Sequence, residues 1–112
     1  MRVEPAHVEA LTIYEADRLD PVFVVLQDFG GGRGRLVVEC WGNAWSTYWG
    51  AMGSETLRQF IVGCDVDYIA NRMWPSKQPR RVKADFAYLV RIVTAVQNAL
   101  RTSVIGSESH VD

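Results

Sequence analysis

The chain has 112 residues, of which 48% are hydrophobic and 22% are charged, and its formal net charge is −1. This length and composition are typical of one globular domain, and they exclude a disordered chain or two independent cores. The charge is uneven: residues 1–70 carry ten acidic and five basic side chains, whereas residues 71–101 carry one acidic and seven basic side chains. One positively charged surface is therefore expected.

The first two strands are predicted from the pattern of side chains. Residues 8–15 alternate in polarity, with Leu11 and Ile13 on one side, which is typical of a strand. Residues 22–28 are rich in β-branched and aromatic side chains and predict a second strand, antiparallel to the first. The intervening segment Asp17–Pro21 has the composition of a turn.

A glycine-rich segment, residues 30–34, separates the second strand from the third. Phosphate-binding glycine loops lead into helices, whereas this segment leads into a strand, so a hairpin connection is favoured over a phosphate site. Residues 35–41 predict the third strand, and Gly42–Asn43 predict a two-residue turn into a fourth strand over residues 44–49. A short helical turn over residues 44–49 is the alternative.

Two short helices are predicted next. Ser54 is expected to cap the first helix, and Asp65 is expected to cap the second, which ends at Trp74 and Pro75. The apolar stripe of the first helix has helical spacing and consists of Leu57, Phe60, Ile61 and Cys64.

A long third helix is predicted over residues 80–101. Its apolar side chains recur on one face, namely Val82, Phe86, Leu89, Val90, Val93, Val96 and Leu100. Residues 102–112 show no periodicity and predict a disordered tail.

Together these elements predict an α+β domain over residues 1–101. A three- to four-stranded antiparallel sheet forms its N-terminal part, and two short helices and one long C-terminal helix pack on one face of that sheet. The helices are expected to contact either the Phe23 and Val25 side or the Val24 and Leu26 side of the second strand, with Phe86 in the core.

No catalytic residue, metal ligand set or cofactor site is predicted. Cys40 and Cys64 follow no metal or redox spacing and fall on apolar faces, so buried packing is favoured over a catalytic thiol. Asp65 and Asp67 are too few to form a calcium loop and are explained by their positions at a helix start.

The expected location is the cytoplasm. The N-terminal residues lack the apolar core of a signal peptide, and no apolar run approaches the roughly 20 residues that cross a bilayer. No membrane partner is therefore expected.

Two groups of side chains are candidates for binding a partner. The first is an aromatic group consisting of Trp41, Trp45, Tyr48 and Trp49. The second is a basic group consisting of Lys77, Arg80, Arg81 and Lys83. Tryptophan, tyrosine and arginine are enriched at binding hot spots. The alternatives are that about half of the rings belong to the core and that the basic group is an ordinary solvated surface.

The chain also carries a motif that resembles those of a known family. The segments IYEADRLDPV, QDFGGGRGR and CWGNAWSTYWGAMG resemble a family of short proteins encoded by bacteriophages and prophages. The resemblance spans roughly residues 11–74, and it implies a phage setting but no activity and no catalytic residues. Small phage accessory proteins are often non-enzymatic binders of host machinery, anti-CRISPR and other counter-defence proteins among them.

Three functions follow as hypotheses. The first is a non-enzymatic phage protein that binds a host or defence protein through the aromatic and basic groups. The second is a single-stranded nucleic-acid-binding module in which Trp45 and Trp49 stack on bases while Arg80, Arg81 and Lys83 contact phosphates. The third is an enzyme whose site is assembled only by the fold.

A homodimer is also expected. The helices can cover only one face of the sheet, and the other face is expected to carry either Val37, Glu39 and Trp41 with Trp45 and Trp49, or the opposite set. A second copy would cover such an apolar face, with Trp45 or Trp49 near its centre.

Overall fold

A computed structural model describes residues 1–75 and 83–102 of the chain. The elements, in chain order, are β1 (Glu9–Ile13), β2 (Val22–Gly30), β3 (Arg33–Cys40), β4 (Asn43–Trp49), α1 (Leu57–Gly63), α2 (Val66–Met73) and α3 (Lys83–Thr102). Four strands followed by two short helices and one long helix confirm the predicted α+β fold. Residues 80–82 and 103–112, which the sequence assigns to the third helix and to the tail, lie outside the described residues, and Thr102 belongs to α3.

The sheet is an antiparallel meander in the order β1-β2-β3-β4. Each strand pairs with the next one along the chain, which is the simplest topology for strands joined by short turns. The helical alternative for residues 44–49 is wrong, because all of them belong to β4.

One face of the sheet carries the core. The fully or almost fully buried strand residues are Val22, Val24, Leu26, Leu36, Val38, Cys40 and Trp49. Against them pack Leu57, Ile61, Ile69, Met73, Leu89, Ile92, Val93, Val96 and Leu100 from the helices. The second strand thus presents Val24 and Leu26 to the helices, and Phe23 is exposed on the other face. Phe60 and Phe86 pack only at the margin of this core.

The turn between β3 and β4 lies one residue earlier than the sequence predicts. Cys40 pairs with Asn43, so the two central residues are Trp41 and Gly42, with φ of 56° and 81°. Positive φ at both positions is the signature of a type I′ turn, whose twist matches that of the flanking strands.

A two-residue turn determines which side chains share a face. It pairs even-numbered residues of β3 with odd-numbered residues of β4, and Val38 accordingly lies opposite Trp45. Paired residues point to the same side of a sheet, so Trp45 and Trp49 lie on the core face. The expectation that these two tryptophans share an uncovered face with Val37 and Glu39 is wrong for this reason.

The carboxylate of Asp28 joins the β2–β3 hairpin to the start of α1. Its Oδ2 accepts a hydrogen bond from the backbone N–H of Leu57 at 2.9 Å, and its Oδ1 accepts one from the backbone N–H of Gly30 at 2.9 Å. These two bonds, that of Leu57 above all, hold the pKa of Asp28 below its usual value. The pairing of β2 with β3 shifts in register between Asp28 and Gly30, next to this carboxylate.

Thr56 caps α1, which corrects the expectation for Ser54. The Thr56 hydroxyl accepts from the N–H of Gln59 at 3.1 Å, and the Gln59 side chain accepts from the N–H of Thr56 at 2.9 Å. This reciprocal capping box satisfies two N–H groups that the helix leaves unpaired. Asp65 is the N-cap residue of α2, as predicted, although its side chain makes no capping hydrogen bond.

The glycine-rich hairpin packs against the segment that joins β4 to α1. The carbonyl of Gly32 accepts from the N–H of Met52 at 2.8 Å, and Gly34 lies on the core face beneath Leu57. A Cβ on Gly34 would lie 2.8 Å from Leu57 Cδ1 and 3.1 Å from Met52 Cε. Glycine at this position therefore allows the first helix to approach the sheet.

Gly34→Ala should lower the free energy of unfolding by about 1–3 kcal/mol, because the new methyl group overpacks the contact with Leu57. Gly63→Ala is the matched control, since no heavy atom lies within 4 Å of its Cβ position. The control should be neutral or slightly stabilising. Urea unfolding of both variants measures this, and equal stabilities would contradict the close approach.

Candidate binding surface on the open face of the sheet

Trp49 is a core residue. Its side chain is 4% exposed, and its indole N–H donates to the hydroxyl of Tyr68 at 3.0 Å. Its ring packs edge-on against Phe60 with centroids 5.3 Å apart. The Arg72 guanidinium lies over the same ring at 5.6 Å and donates from Nε to the Thr47 hydroxyl at 3.2 Å. The buried position and the satisfied N–H show that this tryptophan supports the fold.

Trp45 lies at the margin of the core. It is half-buried and packs edge-on against Tyr88 of α3, with centroids 6.0 Å apart. The Tyr88 hydroxyl donates to Cys40 Sγ at 3.2 Å. Burial, and to a lesser extent this hydrogen bond, raises the pKa of Tyr88 to about 12. Trp45 therefore helps to fix α3 on the sheet.

Trp41 has the opposite environment. Its side chain is 76% exposed at the tip of the β3–β4 turn, and its backbone φ is 56°. The left-handed region costs a residue with a Cβ roughly 1–2 kcal/mol, and the first position of such a turn favours asparagine or glycine. Neither burial nor backbone preference explains a tryptophan here.

All four strands present outward side chains that no described helix covers, and we call the part of this surface formed by β2, β3 and β4 the open face. It consists of Phe23, Val25 and Gln27 from β2, Arg35, Val37 and Glu39 from β3, and Ala44, Ser46 and Tyr48 from β4. Tyr48 is 44% exposed, and Phe23 is similarly accessible. The middle of the face is a row of Val25, Val37 and Ser46, which pair across the strands. The open face thus has a small apolar centre between larger side chains.

An aromatic and basic group lies at the hairpin end of the open face. The guanidinium groups of Arg33 and Arg35 lie 6.0 Å and 5.5 Å from the centroid of the Phe29 ring. Phe29 in turn lies 6.2 Å from the ring of Tyr48, and Arg35 donates to Gln27 Oε1 at 3.1 Å. We call this group the Phe29 cluster.

Of the basic group predicted from the sequence, only Lys83 lies among the described residues. Lys83 is exposed at the first residue of α3, which packs on the core side of the sheet. Lys77, Arg80 and Arg81 lie outside the described residues. Of the predicted partner-binding residues, the structure therefore places Trp41 and Tyr48 at the accessible surface of the sheet. It adds Phe29, Arg33 and Arg35, which the sequence analysis missed. Arg33 and Arg35 alternate with buried residues along β3, which signals an outward position for both. Phe29 lies just beyond the end of the predicted second strand.

Cys40 and Cys64 lie in environments typical of structural cysteines and not of catalytic thiols. Cys40 is buried, and its Sγ donates to the carbonyl of Asp20 at 3.5 Å while accepting from Tyr88. Burial, with a smaller effect of Glu55, raises the pKa of Cys64 above its usual value. A raised pKa disfavours the thiolate that a nucleophile requires. Within residues 1–75 and 83–102, no three histidine, cysteine or acidic side chains are grouped as metal ligands.

Comparison with known proteins identifies the family of the chain. A family model described as a phage family, Phage_phiTE_072, matches residues 1–86. The chain belongs to this phage family. A search of curated proteins and a search of solved structures each found no match. The matched range contains the whole sheet and the Phe29 cluster, and it ends near the start of α3.

In the part of the chain that the structure describes, no helix is both long enough and apolar enough to cross a bilayer.

The buried Trp49 and the exposed Trp41 should respond differently to substitution. Trp49→Ala should lower the free energy of unfolding by about 3–5 kcal/mol, because it removes a buried ring and leaves a cavity. Trp41→Asn should leave it unchanged within about 0.5 kcal/mol or raise it, because asparagine tolerates positive φ. Urea unfolding measures both, and a loss above about 1 kcal/mol for Trp41→Asn would show that the Trp41 ring packs on the protein.

Proposed function

We propose that this phage protein is a non-enzymatic accessory protein that binds a host or defence-system protein through Trp41 and the open face. Such binding would inhibit the host or defence protein in the cytoplasm of the infected cell. Counter-defence activity, including anti-CRISPR activity, is one role that fits. The proposal takes Trp41 and Tyr48 from the predicted aromatic group and replaces Trp45 and Trp49, which pack in or beside the core, with the residues of the open face.

The observation that carries the proposal is the exposed Trp41 ring at positive φ. Departures from local backbone preference concentrate at functional sites, where a partner compensates the strain. Tryptophan is also the residue most enriched at binding hot spots. A large ring that is 76% exposed among the described residues, on a backbone conformation that disfavours it, is explained by a contact made with another molecule.

The open face supports the same conclusion. It combines apolar and aromatic side chains with few charges, as the centre of a protein interface does. Val25 and Val37 are half-buried, and the three described helices all lie on the other side of the sheet. A partner surface that covers this row would exclude water from apolar area that the fold leaves accessible.

Capture from host extract tests the proposal. Immobilised wild-type protein should retain a host protein, and Trp41→Asn should retain at least about tenfold less of it, as expected for loss of a hot-spot residue. Val8→Asn is the control, because Val8 is an exposed apolar side chain outside the four strands. Retention that is equal for wild type and Trp41→Asn, or no retention above background with and without infection, would contradict the proposal.

Single-stranded nucleic acid is the second candidate partner, and the Phe29 cluster is the observation that favours it. Arginines beside exposed rings occur in proteins that stack bases and contact phosphates. The bases would stack on Tyr48 and Trp41 and not, as the sequence analysis expected, on Trp45 and Trp49.

This second candidate predicts that oligothymidylate quenches tryptophan fluorescence and that the affinity falls steeply with added salt. Trp41→Asn should abolish most of the quenching, because Trp41 is the most exposed tryptophan of those described. A flat titration at low salt would remove nucleic acid from consideration and leave the protein partner.

The homodimer stays a prediction. With Trp49 in the core, a second copy would have to pair through the open face and not through the tryptophans that the sequence analysis placed at its centre. Competition would then be expected between self-association and capture of a host protein, since both would use the same surface.

A further inference from the structure

We propose that Arg33 and Arg35 form a binding site for carboxylate groups, and that the segment of the partner protein which docks at this end of the open face is acidic. This inference rests on the proposed function, because it specifies the chemistry of the partner at one part of the same surface. Trp41 lies at the opposite end of β3, so the two ends can be tested separately.

The two arginines are held in place by their own neighbours. Both guanidinium groups lie within about 6 Å of the Phe29 centroid, the range of cation–π attraction. The side chain of Gln27 also accepts a hydrogen bond from Arg35 at 3.1 Å. A fixed guanidinium loses less side-chain entropy when it binds a ligand, and its planar set of donors matches the two oxygens of a carboxylate.

The two guanidinium groups have no carboxylate partner within the described residues. Neither arginine forms an ion pair there, where the ion pairs are Arg2 with Glu4, Arg18 with Asp17 and Arg58 with Glu9. The nearby carboxylate of Asp28 is occupied by the N–H groups of Leu57 and Gly30.

Glu39 shares the open face but is four residues from Arg35 along β3. That spacing corresponds to about 13 Å, beyond the Debye length of about 8 Å at physiological salt. Two like charges share one aromatic ring, and an external anion would satisfy both of them.

Three features favour a protein carboxylate over the phosphates of a nucleic acid. The guanidinium groups already lie over the Phe29 ring, so this ring is not a bare platform for a base. The row of Val25 and Val37 beside the cluster suits apolar side chains of a polypeptide. Glu39, at the far side of that row, would repel a continuous phosphate backbone.

A titration followed by NMR tests this inference with the full chain. The probe is an acetylated and amidated peptide of alternating glutamate and valine, and the matched peptide has glutamine in place of every glutamate. The glutamate peptide should shift the side-chain Nε–H signals of Arg33 and Arg35, whereas the glutamine peptide should not. Arg33→Gln with Arg35→Gln should weaken binding about tenfold or more, as expected for loss of charged hydrogen bonds.

Arg101→Gln is the control variant, since Arg101 lies in the last turn of α3 and its loss changes the net charge in the same direction. Its affinity for the peptide should equal that of the wild type. The inference is overturned if neither peptide shifts the two arginines, if both peptides bind equally, or if the control weakens binding as much as the double variant. Tighter binding of oligothymidylate than of the glutamate peptide would also overturn it and would assign the pair to phosphate.

Failure of this inference is distinguishable from failure of the proposed function. A host protein that is captured through Trp41 but is insensitive to the Arg33 and Arg35 variants would overturn only the acidic partner. Loss of all capture would overturn the proposed function itself.

Discussion

The two-residue connection between β3 and β4 is the constraint on which the surface of this protein depends. By pairing Cys40 with Asn43 it directs Trp45 and Trp49 toward the helices and directs Tyr48 to the opposite side. A one-residue change in connection length would exchange these faces, since side chains alternate along a strand. The burial of Trp49 and the exposure of Tyr48 therefore have the same origin. So does the backbone conformation of Trp41, because a tight turn between twisted strands requires positive φ at its central residues.

Asp28, Gly34 and Gln97 help to hold the helices on one side of the sheet. Asp28 fixes the start of α1, and Gly34 lets that helix approach. Gln97 of α3 donates to the carbonyl groups of Ile61 and Cys64 at 3.1 Å and 2.8 Å and so ties α3 to the end of α1. These interactions all lie on the core side or at the hairpin that leads to it. Tyr48 and the Phe29 cluster lie on the opposite side and Trp41 lies at the β3–β4 turn, and none of them belongs to the buried core.

Much of the fold could be predicted from the sequence because its local signals agree with its tertiary structure. The β-branched run that begins at Val22 forms a strand, and the apolar stripe that includes Leu89 and Val96 forms the long helix.

The site was harder to predict, since the exposure of a side chain depends on the pairing between strands. The grouping of Trp45 and Trp49 with Val37 on one face is wrong, because a two-residue turn pairs odd-numbered residues of β4 with even-numbered residues of β3. Phe29 was missed because the predicted second strand ends at residue 28, whereas β2 continues through the register shift to Gly30. Thr56, and not Ser54, is the N-cap residue of α1, because the side chain of Gln59 completes a capping box with Thr56.

The central claim is that the sheet has one buried and one accessible face, with Trp49 on the first and Trp41 beside the second. Hydrogen exchange of the tryptophan indole N–H groups, resolved by NMR, measures this directly in solution. The indole of Trp49, which is buried and bonded to Tyr68, should exchange slowly, whereas that of Trp41 should exchange at a rate close to that of an unfolded peptide. Comparable rates for the two indoles, or protection of Trp41 in the isolated protein, would contradict the account.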